Sequence, residues 1–171
     1  MNTQLNMIRL AIFDVDGVLT NGQLYFGDDG QEYKAFNAKD GHGMKMLMSS
    51  GIEVAIITAR TSNVVQYRME NLGIQHFYQG QSNKAEAYED LIQKLGLAPE
   101  QVAYVGDDII DLPVMSQVGM PVAVGDAVDF VKSQAKWVLN KNGGEGAVRE
   151  FCDQLLNAQG LLDSLHQSYL R

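Results

Sequence analysis

Four short apolar runs, separated by helical patterns, constrain this chain more than any other feature. Ile8–Phe13, Glu53–Ile57, Val102–Val105 and Pro121–Val124 are rich in Val, Ile or aromatic residues, and Asp, Thr or Gly bounds them. Such runs read as strands buried on both faces. Between them, Val65, Met69 and Leu72 recur at helical spacing after Ser62, a suitable N-cap, and Gly73 ends the pattern. Ala85, Tyr88, Leu91, Ile92 and Leu95 form a second apolar face that starts at Lys84 and stops at Gly96. Leu112, Met115 and Val118 mark a third helix, and Ala147, Val148, Phe151 and Leu155 a fourth. Lys136–Leu139, with Trp137, reads as a last strand. This alternation predicts an α/β fold, a Rossmann-like three-layer sandwich with a mostly parallel sheet, in one domain over residues 1–171.

One segment breaks the alternation. Gln23–Phe26 and Gln31–Phe36 flank Gly27-Asp28-Asp29-Gly30, which predicts a protruding β-hairpin over about residues 22–36. A lone two-stranded ribbon is marginal in water, so Leu24, Tyr25, Phe26, Tyr33 and Phe36 need a surface to pack on. Their own domain is one choice and a second copy is the other. The tail, about residues 158–171, carries Leu161, Leu162, Leu165, Tyr169 and Leu170, and reads as a frayed end or as a segment that docks on a partner.

Charge narrows the partners. Thirteen Lys and Arg against twenty-one Asp and Glu give −8, a field that repels nucleic acid. Cys152 is the only cysteine, which excludes an intrachain disulfide and a thiolate metal cage. No apolar run approaches the about 18 residues of a membrane span. The opening MNTQLNMIRLAIFD lacks the pattern of a cleaved leader. The expectation is a cytoplasmic protein with no nucleic-acid or membrane partner.

In open α/β sheets, ligands bind beyond the carboxyl ends of the strands. Here the first strand runs into Asp14-Val15-Asp16-Gly17-Val18-Leu19-Thr20, the second into Thr58-Ala59-Arg60, and the third into Gly106-Asp107-Asp108, with Asp111 at helical spacing. One aspartate at a strand end is usually a helix cap; three strand ends bearing such groups are hard to explain as caps. Asp14, Asp16 and Asp107 crowded together would repel and raise each other's pKa unless a cation sits among them. Oxygen ligands favour Mg²⁺, which commonly binds one or two carboxylates and a substrate phosphate. Asp14, first off the strand, suits nucleophilic attack on phosphorus. Asp16 suits protonation of the leaving alcohol and then activation of water. Thr58 offers a hydroxyl to a phosphate oxygen, and Lys84 a charge to oppose the one that builds during transfer.

DVDGVLT, ITAR, Lys84 and GDDIID, in that order, resemble the four motifs of the haloacid dehalogenase superfamily. The resemblance implies an HAD-like fold with Asp14 as nucleophile, Asp16 as acid/base, and Asp14, Asp16 (through its carbonyl) and Asp107 around Mg²⁺. It also implies that Asp111 orients Lys84 or the metal shell, with Asp108 behind it. The intervals between the motifs hold the hairpin and single helices, with no room for a cap domain. The chain is therefore similar to the capless branch, the 3-deoxy-D-manno-octulosonate 8-phosphate phosphatase family, from about Ile8 to Asp153, with FNAKDGHGMKML and GGEGAVREF as further matches. That implies hydrolysis of a small sugar-acid phosphate in lipopolysaccharide synthesis by a homotetramer whose hairpins meet and whose tail reaches a neighbouring site. It further implies that Asn37, Ala38, Lys39, Asp40, Gly41 and Lys45 line a sugar-acid pocket partly across an interface, with Asp16, Lys84, Arg60 and Arg68 as further substrate contacts. Many members carry Arg where Lys39 and Lys45 stand here. A nonulosonate 9-phosphate is the alternative substrate, and a non-catalytic oligomeric module the alternative class. His42, His76 and His166 share no metal-ligand spacing, the methionines read as packing, and Gly143-Gly144 and Gly146 read as a helix entry near the site.

Overall fold

The computed structural model describes residues 2–171. Helix α1 (Asn2–Leu5) leads into β1 (Leu10–Phe13), a ribbon of β2 (Tyr25–Phe26) and β3 (Glu32–Tyr33), and α2 (Ala38–Ser49). Then come β4 (Glu53–Ile57), α3 (Asn63–Leu72), β5 (His76–Tyr78), α4 (Lys84–Leu95) and β6 (Val102–Gly106). The chain closes with α5 (Leu112–Met115), β7 (Met120–Ala123), α6 (Asp129–Gln134), β8 (Trp137–Val138), α7 (Ala147–Ala158) and α8 (Leu162–Ser168).

Six strands form one parallel sheet in the order β5-β4-β1-β6-β7-β8, so the expected α/β architecture is present. Leu10-Ala11-Ile12-Phe13 is wholly buried and takes the centre, where both faces must be apolar. From β1 the chain moves outward through β4 and β5, then crosses back to lay β6 on the other edge of β1. Phe13 is in register with Ile56 on one side and Val105 on the other. The carboxyl ends of β4, β1 and β6 therefore open side by side at the topological switch point.

Asn37 caps α2 by accepting the Lys39 amide at 2.8 Å, and α2 packs on α7. Phe151 of α7 meets Phe13 edge-on at 5.5 Å and Trp137 at 5.6 Å, so Trp137 belongs to the core of the last strand as expected. Met44 and Met46 are core residues. The edge strand β5, His-Phe-Tyr, has no apolar run to announce it and is only half-buried.

The ribbon is shorter than its sequence suggests, since only Tyr25–Tyr33 and Phe26–Glu32 pair. Leu24, Tyr25, Phe26 and Tyr33 stay exposed, while Phe36 leaves the ribbon and packs against the core. The tail forms α8 rather than fraying. Leu161, Leu162 and Leu165 pack on the core, and Tyr169 and Leu170 remain exposed, with the Tyr169 ring 5.6 Å from His42. Among the described residues no helix is long and apolar enough to cross a membrane.

Candidate active site

Asp14 leaves β1 directly and is buried. Its loop is wound tightly: the amides of Val18, Leu19 and Thr20 all donate to the Val15 carbonyl, at 3.2, 2.9 and 3.1 Å. The Thr20 hydroxyl accepts the Gly17 and Gly22 amides at 3.2 and 3.1 Å. Gly17 has φ +87°, and a Cβ there would overlap the Asp107 carboxylate, so only glycine lets the two strand ends approach. The loop through Gly143 and Gly144 supports this turn from outside, with Gly144 N–H donating to Val18 at 2.9 Å and Gly143 N–H to Asp126 at 2.9 Å.

Lys84 opens α4 and points inward. Its ammonium lies 2.8 Å from Asp14 Oδ1 and 2.7 Å from Asp111 Oδ1, and its side chain is 1 % exposed. Asp111 is saturated: Oδ1 accepts Lys84 and the Tyr104 hydroxyl (2.6 Å), while Oδ2 accepts the amides of Asp107 (2.9 Å) and Asp108 (3.2 Å). It therefore fixes Lys84 and the Asp107 backbone and has no lone pair to spare for a ligand. Asp108 accepts the Ile109 amide at 2.7 Å and caps the turn that follows.

Carboxylate oxygens of Asp14, Asp107 and Asp111 all lie within 4.8 Å of one another, against one ammonium. Burial and the Asp111 charge push Asp14 up to about 7 despite Lys84. Burial, then Asp111, Asp14 and Asp108, push Asp107 up to about 8. Burial alone would lower Lys84, but Asp14 and Asp111 outweigh it and raise the ammonium's pKa. Asp107 Oδ1 is buried with no hydrogen-bond partner among the described residues. An orphaned oxygen beside an excess of negative charge fits a hard divalent cation, and Asp14 and Asp107 are the carboxylates available to hold it.

The cleft above these groups has a volume of about 200 Å³ and is lined by Asp14, Asp16, Gly22, Thr58, Ala59, Arg60, Asp107, Asp108 and Ile110. Thr58 is buried and held through its backbone, accepting Gln81 N–H at 3.0 Å and donating to Tyr78 at 2.9 Å. Two residues absent from the sequence reading hold lining residues from outside the cleft. Lys34, just past β3, pairs with Asp16 Oδ1 and, at 3.1 Å, with Glu32, which also accepts Arg60 at 2.9 Å. Burial would raise Glu32, but Lys34 and Arg60 hold its carboxyl below the ordinary range. Hollows of about 280 and 300 Å³ lie at the amino ends of the strands, around Arg9 and Glu53, away from this cluster.

Asp14, Asp16, Thr58, Arg60 and Asp107 thus line one cleft, with Lys84 directly behind Asp14. The remaining expected substrate residues do not line it within one chain. Asn37 donates to the Gly144 carbonyl at 3.3 Å, and Ala38, Lys39 and Lys45 are exposed on α2. Asp40 is buried and accepts the Arg149 amide at 2.8 Å, at the start of α7, and burial raises its pKa. Arg68 lies beside Gly41, 5.9 Å over the Phe36 ring, and donates to Asn71 at 3.2 Å. His76 pairs with Glu53 at 3.4 Å, away from the cleft.

An inward lysine caged by aspartates at the switch point of a parallel sheet, with a further aspartate two residues past the first, is the architecture of the haloacid dehalogenase-like hydrolases. A profile of that family matches residues 74–151. The chain is 56% identical over 161 residues to the 3-deoxy-D-manno-octulosonate 8-phosphate phosphatase of Salmonella typhi, covering 94% of this chain and 86% of that one. The crystal structure of the Yersinia pestis enzyme of that name superposes with a TM-score of 0.93 at 51% identity, covering 95% of this chain and 88% of that one. The Moraxella catarrhalis enzyme of that name, in complex with magnesium ion, phosphate ion and a KDO molecule, gives 0.95 at 38% identity, covering 98% and 97%. The chain belongs to this phosphatase family within the haloacid dehalogenase-like hydrolases.

Proposed function

We propose that the chain is a Mg²⁺-dependent phosphatase that converts 3-deoxy-D-manno-octulosonate 8-phosphate to 3-deoxy-D-manno-octulosonate and phosphate, a step of lipopolysaccharide synthesis. The observation that carries the reading is the buried, unpartnered Asp107 oxygen on a carboxylate clustered with that of Asp14, the nucleophile, where both line one cleft. Relatives of that name, and a neighbour holding magnesium, phosphate and KDO, support the substrate.

Asp14, Asp107 and the Asp16 carbonyl would hold Mg²⁺, which when bound offsets the negative charge of carboxylates and phosphate. An Asp14 oxygen attacks phosphorus, the bond from phosphorus to the sugar oxygen breaks, and Asp16 gives that oxygen its proton. Asp16, now a carboxylate, takes a proton from the water that attacks the phosphoryl group on Asp14, releasing phosphate and restoring Asp14. The Thr58 hydroxyl binds a phosphate oxygen. Lys84 is pinned by Asp111, so its charge is already in place when negative charge builds on the phosphoryl group. Arg60 and Arg68 have the forked donors that suit the sugar's carboxylate.

The chain works as a homo-oligomer, a tetramer built through the ribbons. The exposed Leu24, Tyr25, Phe26 and Tyr33 support this, as does a cleft that residues 1–171, taken as one capless domain, leave open. In that assembly Asn37, Ala38, Lys39, Asp40, Gly41 and Lys45 form the sugar-facing set, completed by a neighbour. An acidic composition with one cysteine supports a cytoplasmic setting.

Phosphate release tests the reading. Wild type should release phosphate from the eight-carbon acid phosphate faster than from a nine-carbon one, EDTA should stop it, and Asp14→Asn should fall to background. Release from neither substrate, or Asp14→Asn matching wild type, would sink it.

A further inference from the structure

The ribbon reaches into the active site. Glu32 and Lys34 flank Tyr33, and alternation along a strand turns the two charged residues toward the cleft and Tyr33, 54% exposed, away from it. Together they join two residues that line the cleft from different strands: Asp16 past β1 and Arg60 past β4. The chain of contacts runs Asp16–Lys34–Glu32–Arg60, alternating in sign. The lysine is the most buried of the four, its side chain 1 % exposed against 22 % for Asp16, 15 % for Glu32 and 43 % for Arg60. A surface ion pair contributes little, but a lysine this buried is held in one place by its partners.

We infer that Lys34 is a positioning residue for Asp16. Its ammonium grips Oδ1 and so aims Oδ2 at the leaving oxygen and the water, while Glu32 shares the lysine's charge and anchors it. This rests on the acid/base role given to Asp16 above. Lys34 need not touch substrate; its effect passes through the orientation of one carboxylate, and a misplacement of about 1 Å at such a group can lower turnover about a hundredfold.

The test uses the full chain in its native assembly with the sugar-acid phosphate. Lys34→Met should lower kcat about a hundredfold, with KM little changed and with melting and assembly retained. Lys34→Arg, which keeps a cation that can reach Asp16, should recover most of kcat. Glu32→Gln should give a smaller loss of kcat. If Lys34→Met fails to fold, Glu32→Gln/Lys34→Met, which removes both charges, takes its place in the same measurement. A rise in KM with kcat retained, or an arginine variant as slow as the methionine one, would overturn the inference. A wild type that releases no phosphate would instead remove the phosphatase reading beneath it.

Discussion

Gly17 and Gly30 turn the backbone with nearly the same dihedral, φ +87° and +81°, in opposite surroundings. A Cβ on Gly17 would overlap the Asp107 carboxylate, whereas one on Gly30 would meet nothing within 4 Å. The contrast runs through the two regions these glycines belong to. Along the strand tips, Asp111 accepts four donors, Lys84 bridges two carboxylates, and every loop amide from Val18 to Thr20 is bonded. The polar groups named there find their partners within one chain, and what the acidic cluster lacks is positive charge. The ribbon has two register pairs and four exposed apolar side chains, so what it lacks is another surface. One region fits an ion, and the other presents an uncovered apolar face.

Substituting both glycines sharpens the contrast most. Gly17→Ala combines left-handed strain of about 1–2 kcal/mol with displacement of Asp107, and should lower kcat at least about a hundredfold while weakening Mg²⁺ binding. Gly30→Ala carries the same strain and no displacement, so it should lower stability by a similar amount with kcat unchanged. Steady-state kinetics beside thermal melting checks both. Equal kinetic losses would mean that the two regions are not separate.

The missing positive charge predicts a pH effect. Asp14 at about 7 and Asp107 at about 8 lie above the 3.8 of a free carboxyl. The metal-free folded chain therefore holds protons that the unfolded chain releases. Their contribution to stability is fully present below about pH 4 and is lost as pH rises through 7 to 8. Mg²⁺ replaces those protons with a charge that does not titrate, so the loss should flatten when it is bound. Melting at about pH 5.5 and 8.5 should show Tm falling by several degrees in EDTA and by less in Mg²⁺. Parallel falls in the two series would break the claim that what the acidic cluster lacks is positive charge.

The two regions also differ in how far the sequence discloses them. Asp14, Asp16, Thr58 and Asp107 are legible because each follows an apolar run, and a strand's end fixes where the next residues go. Lys84 is legible because it opens a helix against the direction the helix dipole favours. Lys34 is not, since the ribbon's alternation lasts too few residues to show a face, and Lys34, Lys39 and Lys45 look alike in the chain. Asp40 is hidden in another way. The sequence places it in a polar stretch but not its partner: its carboxylate meets an amide 109 residues away, a contact that only folding of α2 on α7 creates. The strand β5 is hidden because an edge position asks for no continuous apolar run. Local pattern specifies what is buried around the central strands; it says little where one long-range contact decides a side chain's partner.

The smallest expected effect on chain stability, and the finest probe of the comparison, lies in the ribbon. Tyr25→Ser and Phe26→Ser remove apolar area that is already exposed, 49% and 61%, so melting of the individual chain should change by no more than about 0.5 kcal/mol. Light scattering should nonetheless show a smaller particle, because the lost area is what a second copy would cover. Tyr33→Ser should go one step further. Its backbone lies between Glu32 and Lys34, so loosening the outer face of β3 releases the inner one, and kcat should fall several-fold even at protein concentrations that keep the assembly intact. If Tyr33→Ser leaves turnover unchanged while assembly is lost, the ribbon's two faces act independently and the surface that seeks a partner does not reach Asp16.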